Sequence, residues 1–218
     1  MIEVVPGTIS RDILGREKIN SFYTYFLNKY GNEDTPKFQK ARDNFIKSMA
    51  AYSVIVYILT LRDRHNGNIM IDDEGHIVHI DFGFILGISP GGVVFNDILK
   101  SGFETSPFLL KKEMVQIMGG SLDSESFHWF SELVVRGYLA SRPYHKKIIE
   151  LVVLMLESNL PCFFRGEDTI TRLRERLQPD LSERKAAEFM LDKIKKSHEN
   201  SRTTAYDMFQ KLQNDIPY

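Results

Sequence analysis

The sequence predicts a mostly α-helical fold with a small β-hairpin, that is, an α+β chain. Apolar residues recur at helical spacing in the first fifty residues and again over most of the second half of the chain. Between these regions, two short apolar runs, "NIMI" and "HIVHID", flank the turn sequence "DDEG", as expected of paired strands. With 218 residues, of which 43% are hydrophobic, the chain is long enough to bury one sizeable core.

Composition excludes several classes of protein. The formal net charge is −1, so no global charge favours nucleic acid, and we expect no nucleic-acid partner. The single cysteine, Cys162, excludes a disulfide framework and multi-cysteine zinc sites, which fits a reducing compartment. The longest apolar run, Met49–Leu61, is shorter than the roughly 20 residues that span a bilayer, so we expect a buried element there.

The N-terminal region predicts a strand followed by helices. The run "IEVV" is strand-like but has no partner strand upstream, and we interpret this start as a cut through a larger domain. Ser10 suits an N-cap. Thr35 and Pro36 suit the cap and first position of a long helix. The preceding helix has one aromatic face, which ends at a glycine: Phe22, Tyr25, Phe26, Tyr30 and Gly31.

The rest of the chain predicts a hairpin, a long loop and a series of helices. The hairpin is followed by a loop from Phe84 to Leu110, which has no sustained periodicity. Helical patterns follow at residues 126–139, 144–157, 169–177, 182–197 and 202–214.

Three polar residues beside the predicted hairpin have the spacing of a phosphoryl-transfer site. Asp63 precedes Asn68 by five residues, and Asp81 begins a literal "DFG". In protein kinases, a catalytic-loop aspartate precedes a metal-binding asparagine at this interval, and the D-F-G aspartate holds Mg²⁺. A hairpin brings the Asn68 amide oxygen and the Asp81 carboxylate to one edge, and both suit Mg²⁺. By spacing alone, Asp63 is the general base.

Several motifs carry a family resemblance. Protein kinases have H-R-D where this chain has "DRH", and "DRHNGNIM" with "HIDFGF" resembles the phosphatidylinositol 3-/4-kinase superfamily. Other segments resemble type III phosphatidylinositol 4-kinases, the alpha form most closely: "FIKSMAAYS", "MGG", "RGYLASRPY", "LPCF" and "NDIPY". The segment "VVFNDILKSGFETSPFLL" is longer than expected for the alpha form, and its "GFETS" resembles the beta form. The similarity covers almost the whole chain.

The resemblance implies the C-terminal lobe of a protein-kinase-like fold, with the N-lobe absent. Residues 1–7 are then the hinge strand and residues 8–218 the C-lobe. The lobe has four named parts: a catalytic loop at 63–68, a metal-binding "DFG" at 81–83, an activation loop at 84–110 and C-terminal helices at 126–214. No glycine-rich phosphate-binding loop occurs in the sequence.

The same resemblance implies that ATP and Mg²⁺ are the cofactors and that Mn²⁺ can replace Mg²⁺. Ile2 begins the hinge strand, and the backbone of Glu3 and Val5 is placed to bond the adenine edge. Met70 and Ile80 form the apolar floor under the ring. The metal ligands are Asn68 and Asp81.

The catalytic roles follow partly from the resemblance and partly from the chemistry of the side chains. The resemblance favours His65 as general base, with Asp63 orienting it, and we expect this assignment although spacing alone favours Asp63. Arg64 either stabilises charge on the transferred phosphoryl group or neutralises Asp63 and Asp81. His79, on a predicted strand, either supports Asp81 or is a satisfied core histidine, and we expect the latter. A zinc site built from His65, His76 and His79 is not expected, because it lacks a fourth good ligand.

The predicted activation loop indicates the substrate. In the family that the chain resembles, this loop meets the lipid headgroup, and here its charged residues are Asp97, Lys100 and Glu104. A phosphorylated headgroup calls for several basic partners. We therefore expect phosphatidylinositol in a membrane surface as substrate, and the resemblance implies phosphatidylinositol 4-phosphate as product. Because the N-lobe is absent, we expect the isolated chain to be inactive.

Location and partners are also implied by the resemblance. The enzyme is expected in the cytoplasm, peripheral on the plasma membrane or on Golgi or ER membranes. Its partners are the missing N-lobe and regulatory regions or subunits. Two alternatives stay open. The chain is either a non-catalytic binding fragment or part of a phosphatidylinositol-kinase-related protein kinase, and the C-terminal sequence "NDIPY" argues against the protein kinase.

Overall fold

The computed structural model of the protein describes residues 3–88 and 106–199. In these residues the strands form one antiparallel sheet in the order β1–β2–β3, with β1 at Thr8–Ser10, β2 at Ile69–Asp72 and β3 at Ile77–His79. The other regular elements are helical, so the predicted mostly α-helical fold with a small sheet is confirmed.

The sheet is the predicted hairpin with one added strand. Ile71 of β2 pairs with Ile77 of β3 on one side and with Ile9 of β1 on the other. The third strand was not predicted, because β1 has only three residues and its partner lies about sixty residues later. The strand predicted in "IEVV" is wrong over Glu3–Val5, which have no ladder partner among the described residues. Ile2 lies outside the described residues.

The first helices begin at the caps that the sequence indicates. Helix α1, Arg11–Arg16, is capped by the Ser10 hydroxyl, which accepts from the Ile13 amide. Helix α2 spans Phe22–Tyr30 and ends at Gly31, where φ is +88°. Helix α3 spans Pro36–Leu59 and is capped by the Thr35 hydroxyl. These predictions are confirmed, and local capping chemistry explains why they could be made.

The second half of the chain differs from the prediction in detail. Its helices are α4 Lys112–Ile117, α5 Glu125–Ser141, α6 His145–Val153, α7 Glu167–Leu177 and α8 Glu183–Glu199. Helix α4 was missed because six residues give too short a pattern. Helix α6 is shorter than the predicted 144–157, because residues 154–158 continue as turns with hydrogen bonds over three residues. The predicted helix at 202–214 lies outside the described residues.

Helix α3 lies at the centre of the hydrophobic core. Its C-terminal half is buried on several faces and packs against α5, α7 and β3. The fully buried Phe26, Phe38 and Phe45 form edge-to-face contacts where α2 meets α3. Among the described residues, no helix is long and apolar enough to cross a bilayer. The packing of α3 in the core fixes its C-terminal end, and the polar segment that follows α3 starts from this fixed point.

Candidate active site

The predicted catalytic loop and the predicted D-F-G segment lie at the same end of the hairpin. The loop Asp63–Asn68 connects α3 to β2, and Asp81 follows β3. The two segments are joined where the Ile80 amide donates to the Asn68 carbonyl at 3.1 Å. The antiparallel register, in which Ile69 faces His79, fixes this meeting point. The structure therefore brings together the segments that the sequence placed 13 positions apart.

The backbone around this meeting point is unusual. Of the seven non-glycine residues described with positive φ, four lie in this region: Thr60, Asp63, Asp81 and Leu86. Such conformations cost roughly 1 to 3 kcal/mol each and cluster at functional sites, although aspartate tolerates them better than most residues. The left-handed conformation at Asp63 and Asp81 is therefore held by the surrounding contacts.

Asn68 and Asp81 present oxygen atoms that suit a hard metal ion. The Asn68 side chain is buried, and its Nδ2 donates to the Asp63 carbonyl at 2.9 Å, which fixes the amide with Oδ1 as its acceptor. The Asp81 carboxylate is exposed, and its Oδ1 accepts from the Gly83 amide at 3.2 Å. An oriented amide oxygen and a carboxylate with capacity for further ligands fit Mg²⁺ chemistry.

Arg64 joins the two segments through backbone carbonyls. The buried guanidinium donates from Nε to Arg62 O at 2.8 Å, from Nη1 to Ile80 O at 2.7 Å and from Nη2 to Asp81 O. It also lies over the Phe82 ring, 5.7 Å from the ring centre. A forked guanidinium can hold two adjacent carbonyls in this way, whereas a lysine offers a single point of attachment. Arg64 thus fixes the backbone that carries the Asp81 carboxylate.

His65 and Asp63 face each other across the loop. His65 Nδ1 accepts from the Gly67 amide at 3.0 Å, and His65 Nε2 lies 3.8 Å from Asp63 Oδ2. Because a backbone amide only donates, Nδ1 bears no proton, and the neutral ring carries its proton on Nε2, towards Asp63. A Cβ at Gly67 would lie 2.9 Å from His65 Cε1, so glycine permits this close approach.

The residues predicted to contact adenine are only partly described. Met70 and Ile80 are half-exposed, and both lie on the sheet face that Val78 shares, opposite the buried Ile71 and Ile77. Glu3 is exposed, and the Val5 carbonyl accepts from the Thr8 hydroxyl at 2.9 Å. Ile2 is not among the described residues. The structure therefore brings Met70 and Ile80 to one accessible face.

The histidines do not assemble a zinc site. No group of three or more His, Cys, Asp or Glu side chains is arranged to hold a metal ion within residues 3–88 and 106–199. His76 Nδ1 instead pairs with Asp72 Oδ2 at 2.8 Å. His79 is buried, as predicted, and stacks on Tyr52 with ring centres 4.4 Å apart.

The prediction that His79 is a satisfied core histidine is wrong. Neither ring nitrogen has a hydrogen-bond partner in the described part of the chain. Burial, with a further contribution from the Arg64 charge, lowers the pKa of His79 to about 3. The ring is neutral because a charge at this site would be desolvated.

Sequence reasoning missed one side chain at the catalytic loop. Lys111 Nζ donates to Asn66 Oδ1 at 2.7 Å, across a separation of 45 residues. No local pattern links these two positions, since Lys111 follows the long predicted loop. Of that loop, residues 89–105, which include Asp97, Lys100 and Glu104, lie outside the described residues.

Comparison with known proteins gives one consistent family. The family model described as phosphatidylinositol 3- and 4-kinase matches residues 13–165. The chain is 55% identical over 218 residues to phosphatidylinositol 4-kinase stt4 of Schizosaccharomyces pombe and 52% identical over 218 residues to phosphatidylinositol 4-kinase STT4 of Saccharomyces cerevisiae. It is 44% identical over 218 residues to phosphatidylinositol 4-kinase alpha 1 of Arabidopsis thaliana. These matches cover 99% to 100% of this chain and 10% to 11% of the relatives, so the chain spans about a tenth of their length.

Proposed function

This chain belongs to the phosphatidylinositol 3- and 4-kinase family, as its motifs predicted, and on that premise we propose that it forms the C-terminal lobe of a phosphatidylinositol 4-kinase. The complete enzyme transfers the γ-phosphoryl group of ATP to the 4-hydroxyl of phosphatidylinositol and releases phosphatidylinositol 4-phosphate. Relatives that carry this activity in their names match along the whole chain, which supports the choice of reaction. In this proposal residues 1–7 are the hinge and residues 8–218 the lobe.

The observation that carries the proposal is the junction between the catalytic loop and the segment after β3. The bond from the Ile80 amide to the Asn68 carbonyl joins the turn before β2 to the segment after β3, and these two segments carry the residues that we propose as metal ligands. Asn68 is fixed by its bond to the Asp63 carbonyl, and the Asp81 backbone is fixed by Arg64. Preorganised oxygen ligands of this kind are what phosphoryl transfer requires, because positioning and charge stabilisation supply most of its catalysis.

The two oxygen ligands define the metal chemistry in this proposal. Asn68 Oδ1 and the Asp81 carboxylate would hold Mg²⁺, and Mn²⁺ accepts the same kind of ligand. When bound, the metal neutralises charge on the phosphates of ATP. Arg64 acts on this site through the backbone: its guanidinium donates to three carbonyls, which favours a positioning role over contact with the transferred group.

The proton of the substrate hydroxyl passes to Asp63 in our proposal. As the 4-hydroxyl oxygen attacks the γ-phosphorus, the bond to the bridging oxygen of ADP breaks and the hydroxyl proton must be accepted. The resemblance favoured His65 for this role. The Gly67 amide on Nδ1 weighs against it, because neutral His65 then presents an N–H, not a lone pair, towards Asp63. An ionised carboxylate such as that of Asp63 only accepts hydrogen bonds, and in this proposal His65 orients it.

The remaining parts of the reaction are assigned to the hinge, the sheet face and the membrane. The backbone of Glu3 and Val5, in the hinge that begins at Ile2, would bond the adenine edge, with Met70 and Ile80 beneath the ring. The lipid substrate requires an enzyme that works on a membrane surface, peripherally from the cytoplasm at the plasma membrane or at Golgi or ER membranes. The N-lobe and regulatory regions or subunits would complete the enzyme.

The decisive test is the product formed by the complete enzyme. Vesicles that contain phosphatidylinositol are incubated with Mg²⁺ and ATP, and the position of the new phosphate on the inositol ring is determined. We expect the 4-phosphate. Phosphorylation of a peptide but not of the lipid would support a protein kinase, and no turnover of either substrate would support the non-catalytic alternative.

The matched variant for this test is Asp81→Asn. Asparagine tolerates the left-handed backbone of Asp81, where φ is +56°, so the fold should persist while the carboxylate is lost. We expect turnover to be abolished with the melting temperature unchanged. Near-normal kcat at saturating Mg²⁺ would contradict the metal assignment.

A further inference from the structure

The catalytic loop is held by a lysine that lies outside it. Lys111 Nζ donates to Asn66 Oδ1 at 2.7 Å, and Asn66 lies directly between His65 and Gly67. Asn66 is only 3% exposed, so its side-chain oxygen is an acceptor in a largely desolvated position. The Lys111 ammonium, which follows the predicted activation loop in sequence, therefore contacts the middle of the catalytic loop.

Lys111 is firmly mounted. Phe108, Leu109 and Leu110, which precede it, are buried, and the Phe108 amide donates to Ser197 Oγ at 3.3 Å. The amides of Met114 and Val115 donate to the Lys111 carbonyl at 3.0 and 3.2 Å, so its backbone starts helix α4. The next turn is anchored by Glu113, which pairs with the buried Arg11. The backbone of Lys111 is thus held by the core, and its ammonium is held by the bond to Asn66.

The local structure does not explain why this residue is a lysine. Lys111 occupies the N-cap of α4, a position that favours Ser, Thr, Asp or Asn. Helices α1, α2, α3 and α5 all have such a residue at the N-cap: Ser10, Ser21, Thr35 and Ser124. Within the described residues, Lys111 makes no capping bond to its own helix. The helix forgoes a favourable cap, while the side chain reaches the catalytic loop.

We propose that Lys111 is a positioning residue of the phosphoryl-transfer reaction and acts through Asn66. It holds the centre of the loop, while Arg64 holds one side and the bond from Asn68 Nδ2 to the Asp63 carbonyl closes it. The inference rests on the proposed kinase function. Loss of the Lys111 donor leaves the buried Asn66 oxygen without this charged partner, and the loop that carries Asp63 and His65 loosens.

The kinetic test uses the complete enzyme with phosphatidylinositol vesicles and Mg²⁺-ATP. Lys111→Met should lower kcat by about tenfold or more, with KM for ATP and for the lipid within about twofold, because only the geometry of the reacting groups changes. Lys111→Arg keeps a charged donor and should restore a large part of kcat. The matched control is Lys112→Met, since Lys112 is the exposed neighbour on α4 and should not affect kcat.

A double-mutant cycle tests whether Lys111 acts through Asn66. In an Asn66→Ala background, Lys111→Met should reduce kcat little further, since the contact is already gone. If the two substitutions lower kcat by independent factors that multiply in the double variant, the proposal is wrong. An unchanged kcat in Lys111→Met would also contradict it. A raised KM for either substrate at constant kcat would contradict it too, because Lys111 would then be a direct substrate ligand.

A readout without activity separates this inference from the proposed function. Amide hydrogen exchange of the 218-residue chain should become faster at Gly67 and Asn68 in Lys111→Met but not in Lys112→Met. If Lys111→Met does not fold, Lys111→Gln takes its place. Its donor is neutral and the side chain is shorter, so exchange should again become faster, though by less than in Lys111→Met. Unchanged exchange in the folded variant contradicts the proposal, whereas a wild-type enzyme that does not phosphorylate phosphatidylinositol contradicts only the proposed function.

Discussion

At the scale of single residues, Asp63 and His65 are the two candidates for the base that accepts the hydroxyl proton in the proposed reaction. The bond from the Gly67 amide to His65 Nδ1 favours Asp63, and the two candidates differ in their expected pH dependence. Carboxylates ordinarily ionise well below pH 6, whereas a histidine base loses activity as pH falls below about 7. The pH dependence of kcat therefore distinguishes them.

We predict that any fall in kcat of the complete enzyme between about pH 7.5 and about pH 6 persists in His65→Gln. Asp63→Asn, in which asparagine tolerates the backbone φ of +60°, should lower kcat far more than His65→Gln, because it removes the proton acceptor. Steady-state kinetics over this range provide the measurement. A marked acid limb in the wild type that disappears in His65→Gln would return the role of base to His65.

A second prediction concerns the buried ring of His79 and the stability of the chain. Its pKa in the folded chain is about 3, below the ordinary 6.5, because burial disfavours the imidazolium. The stabilising contribution of the neutral ring is therefore complete above about pH 6.5 and is lost as pH falls towards 3. The free energy of unfolding should decrease by at most roughly 1.4 kcal/mol per pH unit in this window from His79 alone.

Urea unfolding of the chain at pH 7 and pH 5 measures this effect. His79→Phe retains a ring to stack on Tyr52 and cannot be protonated, so its free energy of unfolding should depend less on pH. His128→Asn, at an exposed position on α5, serves as the control and should behave as the wild type. An equal pH dependence in His79→Phe and the wild type would contradict the assigned cause.

At the scale of elements, the hairpin and the catalytic loop form one unit because Arg64 connects them. Its guanidinium donates to Ile80 and Asp81 carbonyls, which belong to the segment after β3. The loop by itself has a single 3₁₀ turn, Asn66–Asn68, and no ladder of its own. Its shape therefore depends on the neighbouring strands.

We predict that Arg64→Met lowers the free energy of unfolding by roughly 2 to 4 kcal/mol, because buried carbonyls lose charge-assisted bonds. Arg64→Lys should recover only part of this loss, since an ammonium does not reproduce the fork. Urea unfolding monitors both variants. The control variant Arg136→Met, at an exposed position on α5, should change the free energy of unfolding by less than about 0.5 kcal/mol. An equally small change in Arg64→Met would show that Arg64 does not connect the loop to the segment after β3.

At the scale of the whole molecule, the chain carries the proposed metal ligands and the candidate bases, but its sequence has no glycine-rich loop for the phosphates. Phosphoryl transfer depends on fixing all reacting parts at once. In the proposed function, the described residues supply one side of a nucleotide cleft: the sheet face of Met70 and Ile80, and the edge that carries Asn68 and Asp81.

We therefore predict that the 218 residues alone do not phosphorylate phosphatidylinositol. A radiometric assay with vesicles, Mg²⁺ and ATP tests this, with the complete enzyme as positive control and its Asp81→Asn variant as negative control. Turnover by the purified chain above the level of the negative control would show that these residues suffice.

The sequence by itself determined the features that depend on neighbours a few positions away. Caps such as Thr35 and Ser10, the apolar faces of α2 and α3, and the hairpin turn follow from local hydrogen bonding and periodicity. The interval from Asp63 to Asn68 also indicated the chemistry, because a short loop limits how far apart its side chains can lie.

The tertiary structure alone decided the contacts between segments that are distant in sequence. The pairing of β1 with β2, the reach of Lys111 to Asn66 and the burial of the His79 ring against Tyr52 span tens of residues. Arg64 shows the same limit: its sequence context allowed contact with phosphate or with acids, and only the packed fold directs its donors to Ile80 and Asp81 carbonyls. Such contacts form where the core brings surfaces together, and neither local propensity nor spacing encodes which surfaces meet.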